Sequence, residues 1–119
     1  MSRDPRLYLQ GIKDCATKIL QYSQGLDRES FENHGMAYDA VLRNLEIIGE
    51  AAKKIPREIR DLAPDVPWRM ICGFRDHLAH AYFGLDGDTV WEVVSEEVPA
   101  LLIQAERILE VIHGAPPSA

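Results

Sequence analysis

Apolar side chains recur at steps of three and four residues along almost the whole chain, and this spacing favours helices over strands. No segment shows sustained two-residue alternation, which half-buried strands require. The helical spacing occupies four segments, near residues 5–25, 35–55, 67–82 and 88–113. We therefore predict an all-α protein, an antiparallel four-helix bundle in one domain over residues 1–119, with a disordered tail at 115–119.

The apolar stripes predict which side chains form the core. The first stripe consists of Tyr8, Ile12, Cys15, Ile19 and Tyr22. The second consists of Ala37, Val41, Leu45, Ile48, Ala52 and Ile55. The fourth segment contributes Val90, Val94, Val98, Leu101, Ala105, Ile108 and Ile112. Beside the second stripe, a shoulder of Ala40, Ile47 and Ala51 either faces another subunit or widens the core face.

Helix-terminating residues set the expected ends of these segments. Asp4 fits the N-cap of the first helix and Pro5 its first position, while Gly25 suits the far end. Pro56 ends the second helix because its ring and missing N–H interrupt the hydrogen-bond ladder. For the same reason we expect Pro99 to kink the fourth helix.

The formal net charge of −6 is confined to one part of the chain. Residues 1–85 carry 12 basic and 12 acidic side chains, whereas residues 86–110 carry seven acidic side chains against Arg107 alone. The overall charge argues against non-specific nucleic-acid binding, but the neutral first part does not. The acidic segment is therefore expected to face away from any nucleic acid.

Composition also indicates in which cellular compartment the protein is located. A hydrophobic content of 46% excludes disorder, and no apolar run approaches the length of a membrane span. The first residues lack the apolar stretch of a signal peptide, so a cytoplasmic protein is expected. Cys15 and Cys72 form no Cys-x-x-Cys motif, and reduced thiols are expected.

A dense polar run lies in the third segment and reads Arg75-Asp76-His77-Leu78-Ala79-His80-Ala81-Tyr82. On a helical wheel, the core face of this segment takes Ile71, Phe74, Leu78 and Ala81. Asp76 and His80 share a face one turn apart, away from the core, so Asp76 can orient the imidazole. The long side chain of Arg75 reaches the same space, and Tyr82 borders the core.

These side chains suit phosphodiester chemistry without a metal. An imidazole moves protons near neutral pH, and a guanidinium holds phosphate oxygens and stabilises negative charge. RNA supplies its own nucleophile, the 2′-hydroxyl. The alternative interpretation is a solvated helix face with no catalytic role.

Longer stretches of the sequence resemble the HepT-like branch of the HEPN superfamily. The stretches are Leu45–Pro56, Pro64–Arg69, Gly73–Asp76 and His80–Gly84, and their order and spacing match from about residue 5 to residue 113. The defining motif is Arg, a polar residue, three more residues, His, one residue and Tyr. It stands intact as Arg75, Asp76, His80 and Tyr82.

The resemblance implies a HEPN-like homodimer whose two motifs face each other across a shared cleft and cut RNA without a metal or other cofactor. It implies a toxin of a type VII toxin–antitoxin system, whose partner is a minimal, MntA-like nucleotidyltransferase. That antitoxin would transfer AMP to Tyr82 and silence the site. His80 would be the general acid/base, Arg75 would bind the scissile phosphate and Asp76 would orient the site. His77 is not a fixed part of the motif and is at most auxiliary.

Two other functions remain open from the sequence. The first is a non-catalytic HEPN module that binds nucleotides or docks onto a nucleotidyltransferase. The second is a metal site, either at His77-x-x-His80 beside Asp76 or at Glu110-x-x-His113. A di-iron bundle needs a second Glu-x-x-His, which the sequence lacks, so no metal is predicted.

Overall fold

The computed structural model describes residues 4–76 and 87–114, and these are helical with no strand among them. The helices are α1 (Pro5–Ser23), α2 (Arg28–Asn33), α3 (Gly35–Lys53), α4 (Arg57–Arg60), α5 (Trp68–Cys72), α6 (Gly87–Glu92) and α7 (Val98–Gly114). A π-helical turn, Val93–Glu97, joins α6 to α7. The predicted all-α class is confirmed over these residues. The tail 115–119 lies outside them.

The long helix α1 packs between α3 and α7, and this arrangement places the core. The predicted stripes of α3 and of the fourth segment are confirmed: every member is buried except Ile112, which is half-buried. In α1 the stripe is broader than predicted, since Leu9 and Ala16 are fully buried too. A helix contacted on two sides needs two apolar faces. The prediction for Tyr22 is wrong, because its side chain is exposed near the helix end.

The predicted start of α1 is confirmed. The Asp4 carboxylate accepts a hydrogen bond from the backbone N–H of Arg6, and Pro5 is the first helical residue. At the far end, Gly25 has a φ of 78°, a left-handed conformation that glycine adopts without strain. The α1 helix ends at Ser23, two residues before Gly25, and the next helix begins at Arg28.

Helix α2 is absent from the sequence prediction. It is held by a capping box in which Asp27 accepts from the backbone N–H of Ser30, and the Ser30 hydroxyl accepts from the backbone N–H of Asp27. Its one buried side chain, Phe31, lies against the rings of Tyr38 and Trp91 at centroid distances of 5.2 and 5.4 Å. Because one apolar side chain makes no periodic pattern, hydrophobic spacing could not reveal this helix.

The third and fourth predicted helices each contain an interruption. The helix expected over 67–82 breaks at Gly73, where α5 ends, and helical backbone resumes at 74–76. Residues 77–82 lie outside the described part. The fourth helix is continuous in outline, but the π-helical turn immediately precedes Val98 and Pro99. The proline cannot donate to a carbonyl one turn earlier, so the backbone there departs from α-helical hydrogen bonding.

None of the helices within residues 4–76 and 87–114 has the length and apolar character that a membrane span requires.

The Asp27 cap predicts a pH-dependent contribution to stability. Hydrogen bonds from the backbone and side chain of Ser30 hold the pKa of Asp27 below its ordinary value of 3.8. A carboxylate with a lowered folded-state pKa stabilises the fold above its ordinary value, and this stabilisation is lost as pH falls through the folded pKa. Asp27→Ala should therefore lower the thermal midpoint at pH 7 and have a smaller effect at pH 3. Asp27→Asn, which caps without titrating, is the control and should lie close to the parent at pH 7. An equal loss for Asp27→Ala at both pH values would contradict this account.

Candidate functional site

The structure describes only some of the predicted site residues. Arg75 and Asp76 belong to the described part of the chain, and they are adjacent and exposed just after α5. His77, His80 and Tyr82 lie outside the described residues. The structure therefore defines how the first half of the motif is held.

The start of α5 is anchored by the indole of Trp68, which is buried. Its Nε1–H donates to the carbonyls of Ala63 at 3.0 Å and Arg60 at 3.2 Å. Arg60 in turn donates to the carbonyls of Ala52 at 2.8 Å and Ile55 at 3.1 Å. These carbonyls lie in the last turn of α3 and just beyond it, and the Ala52 carbonyl also accepts from the backbone N–H of Ile55 at 3.2 Å. The end of α3, the turn at α4 and the start of α5 are thus joined by side-chain donors to backbone acceptors.

The end of α5 is held against α3 at Gly49. A Cβ atom at Gly49 would lie 2.9 Å from the carbonyl oxygen of Ile71 and 3.3 Å from Cβ of Phe74. Real Cβ atoms essentially never come as close as the first of these distances. Ile71 and Phe74 are both buried. Gly49 therefore sets the depth at which the segment leading into Arg75 packs on α3.

Arg75 and Asp76 follow this buried contact, and both are exposed. The helical wheel predicts this for Asp76, which it places away from the core. The backbone N–H of Asp76 donates to the carbonyl of Gly73 at 3.0 Å, which keeps the local turn helical. Neither side chain makes a hydrogen bond or ion pair with the other described residues. The guanidinium and the carboxylate are therefore available to a ligand or to the rest of the motif.

Gly49 is a site-positioning residue that the sequence reasoning did not single out, although it lies within one of the stretches that carry the family resemblance. A single glycine inside a strongly periodic helix is the available signal, since it often marks a close backbone approach. The partner of that approach, at residues 71 and 74, could not be read from the spacing of either helix.

The basic side chains between α3 and α5 differ in whether they already have a partner within the described residues. Lys54 and Arg57 are exposed, and Lys53 forms an exposed ion pair with Glu50 at 3.4 Å. The guanidinium of Arg60 is occupied by the carbonyls at the end of α3. Arg60 therefore has a structural role, because its guanidinium already donates to the protein's own backbone.

A metal site finds no support in the described part of the chain. No group of three or more His, Cys, Asp or Glu side chains there could hold a metal ion. Glu110 and His113 are both exposed near the end of α7. The alternative at His77 and His80 lies outside the described residues.

The two cysteines differ in their burial, since Cys15 is buried and Cys72 is half-buried. Both are free. Burial raises the pKa of the Cys15 thiol, because the apolar surroundings disfavour the thiolate.

A sequence profile of the HepT-like ribonucleases matches residues 12–108, which include α5 and both Arg75 and Asp76. The chain belongs to the HepT-like ribonuclease family.

This HepT-like chain is similar to curated proteins over nearly its full length. It is 39% identical over 112 residues to a Methanocaldococcus jannaschii protein named "Putative RNase", covering 94% of this chain and 93% of that protein. It is 38% identical over 108 residues to "Probable ribonuclease HepT" of Thermococcus cleftensis, covering 91% of this chain and 98% of that protein. No solved structure gives a significant match.

The Gly49 contact predicts opposite effects for two glycine-to-alanine changes. In Gly49→Ala, the steric conflict with Ile71 costs about 1–3 kcal/mol and outweighs the gain in helix propensity of up to about 1 kcal/mol. The matched control is Gly11→Ala in α1, where an added Cβ meets nothing within 4 Å. Gly11→Ala should raise the free energy of unfolding by about 0.5–1 kcal/mol. Denaturant unfolding measures both, and equal stabilisation by the two changes would show that α3 and α5 are not in close contact.

Proposed function

We propose that this chain is a metal-independent endoribonuclease and the toxin of a type VII toxin–antitoxin system. The observation that carries the proposal is the exposed Arg75–Asp76 pair, which directly follows the Gly49 contact in a chain of a ribonuclease family. Among residues 4–76 and 87–114, no carboxylate pairs with the Arg75 guanidinium, which supports a role in binding a phosphate. The protein acts in the cytoplasm, where RNA is its substrate.

Cleavage proceeds through the RNA's own 2′-hydroxyl. His80 removes the proton of this hydroxyl, the 2′-oxygen attacks the adjacent phosphorus, and the bond from phosphorus to the 5′-oxygen breaks. The protonated imidazole of His80 then gives a proton to the leaving 5′-oxygen. The RNA fragment upstream of the cut ends in a 2′,3′-cyclic phosphate. Arg75 binds the phosphate oxygens and stabilises the negative charge that develops on them. Asp76 orients His80, and His77 is auxiliary.

Two partners act on the site: a second copy of this chain and a nucleotidyltransferase. A second copy of the chain completes the cleft, so the active form is a homodimer. A minimal nucleotidyltransferase transfers AMP from ATP to the hydroxyl of Tyr82 and releases pyrophosphate. The phosphodiester left on Tyr82 is negatively charged and pairs with Arg75, so it occupies the position of the RNA phosphate.

RNA cleavage in the presence of EDTA tests the proposed activity. The parent protein should degrade RNA, and Arg75→Ala and His80→Ala should each lose at least about 100-fold in rate, the usual contribution of a general acid/base or a charge-stabilising group. Arg69→Ala is the matched control, because Arg69 is also an exposed arginine of the α5 region. It should retain near-parental activity. Equal RNA loss from the parent and His80→Ala would contradict the mechanism. Absence of cleavage by the parent would favour the non-catalytic docking module.

Intact-mass analysis tests the proposed modification. Incubation with the partner nucleotidyltransferase and ATP should add the mass of AMP to the parent chain and abolish its cleavage of RNA. Tyr82→Phe should remain unmodified, whereas Tyr22→Phe, which removes another tyrosine hydroxyl that is exposed in the structure, should still be modified. Modification of Tyr82→Phe would place the acceptor elsewhere.

A further inference from the structure

A groove lies between α7 and the segment that connects α4 to α5, and we call it the α7 groove. Its volume is about 90 Å³. It is lined by Val66 and Leu101, which are buried, and by Pro67 and Ala100, which are exposed. Sites for small molecules measure roughly 300–1,000 Å³, so the α7 groove is too small for a free ligand such as a nucleotide. It has room for one side chain of another protein.

Two carboxylates stand beside this apolar lining. Asp65 belongs to the connecting segment and is exposed, whereas Glu97 belongs to the π-helical turn and is half-buried. Within the described part of the chain, neither carboxylate forms an ion pair. A half-buried carboxylate without a cation has lost part of its hydration and has gained no charged partner in return. A cation placed in the α7 groove is therefore stabilised by both side chains.

The arginine of the fourth helix does not pair with these carboxylates. Arg107 donates instead to the side-chain oxygen of Gln104 at 3.0 Å and to the carbonyl of Leu62 at 3.4 Å. Because Gln104 also lines the α7 groove, these bonds join α7 to the connecting segment beside it. Residues 86–110 contain no other lysine or arginine. The α7 groove therefore keeps its acidic character.

The two neighbouring glutamates of the π-helical turn differ in their surroundings. Glu97 lines the α7 groove, whereas Glu96 is exposed and does not line it. Turns of this kind are rare inside α-helices and recur at functional sites. The half-buried position of Glu97 therefore lies at a backbone feature that is typical of binding surfaces.

A lysine or arginine side chain matches the α7 groove in size, hydrophobicity and charge. Its aliphatic stem packs on the apolar lining, and its charged end reaches the carboxylates. The groove is also close to the motif along the chain. Pro67, which lines it, immediately precedes α5, and Arg75 follows eight residues later, a helical path of about 12 Å. A protein bound at the groove therefore lies within its own diameter of Arg75.

We propose that the α7 groove is the surface on which the nucleotidyltransferase docks, and that it receives a lysine or arginine side chain of that enzyme. The inference rests on the proposed function, because it takes the partner from there and names the surface that the partner uses. The charge complementarity of an acidic groove and a basic side chain supports this occupant. A docking point outside residues 75–82 also holds the partner without using the tyrosine that it modifies.

The dissociation constant of the complex tests the proposed surface. Purified nucleotidyltransferase is bound to the full chain without ATP, so that no AMP is transferred. Asp65→Asn and Glu97→Gln should each raise the dissociation constant by about threefold to tenfold, because each removes one carboxylate from the incoming cation. Ala100→Phe should raise it at least about tenfold, since the added ring occupies the space of the incoming side chain.

Two matched controls separate the α7 groove from the overall acidity of this surface. Glu96→Gln and Asp61→Asn remove the same charge from exposed neighbours that do not line the groove. Both should leave the dissociation constant within about twofold of the parental value, because charges at the rim contribute little to affinity. Equal weakening by Glu96→Gln and Glu97→Gln would overturn the α7 groove as the docking site.

The rate of AMP addition to the chain gives a second readout. At low concentrations of the nucleotidyltransferase, Glu97→Gln should be modified more slowly than the parent chain. At saturating concentrations the two rates should be equal, because the variant has lost binding and not chemistry. A rate that stays low at saturation would contradict a docking role for Glu97. RNA cleavage by Glu97→Gln without the partner should equal that of the parent, which also shows that the variant is folded.

The outcomes distinguish the docking surface from the proposed function. Tight binding of the nucleotidyltransferase to the parent and equally tight binding to Glu97→Gln and Ala100→Phe would overturn the surface and leave the proposed function intact. Absence of any complex with the parent would overturn both the surface and the proposed partner. If Ala100→Phe instead lowers the light-scattering mass of the chain alone, the groove receives a second copy of this chain and the proposal is wrong.

Discussion

The close approach of α3 and α5 at Gly49 is the contact on which the site depends. Only hydrogen at this position allows the carbonyl of Ile71 and the side chain of Phe74 to lie against the helix backbone. Arg75 and Asp76 come directly after this contact, so their position at the surface is set by packing in the interior. A backbone already fixed by its neighbours removes the backbone part of the entropy cost of binding a ligand, whereas the exposed Arg75 side chain would still lose its rotamer freedom.

Side-chain donors extend this constraint to the rest of the bundle. Arg60 closes the carbonyl end of α3, and Trp68 hydrogen-bonds to the turn that follows α4. At the same end, Arg107 of α7 donates to the carbonyl of Leu62 at 3.4 Å. These three side chains join α3, α4, α5 and α7 through backbone acceptors. The short elements need such contacts, because a helix of four or five residues has little stability of its own.

The sequence predicts the bundle better than it predicts the connections. Side chains such as Ile48 and Ala105 lie in the core as their periodicity indicates, because three- and four-residue spacing reports directly on a helix face. Helix α2, the turn at Gly73 and the full burial of Leu9 are beyond that signal. Helix α2 depends on the rings that pack against Phe31, and the burial of Leu9 depends on the two helices that contact α1. For the site, the sequence predicts that Asp76 lies away from the core, whereas the contact of Gly49 with Ile71 and Phe74 is found only in three dimensions. The roles of His80 and Tyr82 remain predictions from the family motif.

In the proposed mechanism the RNA itself provides the nucleophile, and the protein provides charge and proton transfer without a metal. The decisive experiment compares an RNA oligonucleotide with its 2′-deoxy counterpart of identical sequence, both in EDTA. We expect the RNA to be cut into products that end in a 2′,3′-cyclic phosphate, and the 2′-deoxy oligonucleotide to remain intact. Cleavage of both strands at similar rates would contradict the account, since a strand without the 2′-hydroxyl cannot supply the attacking oxygen.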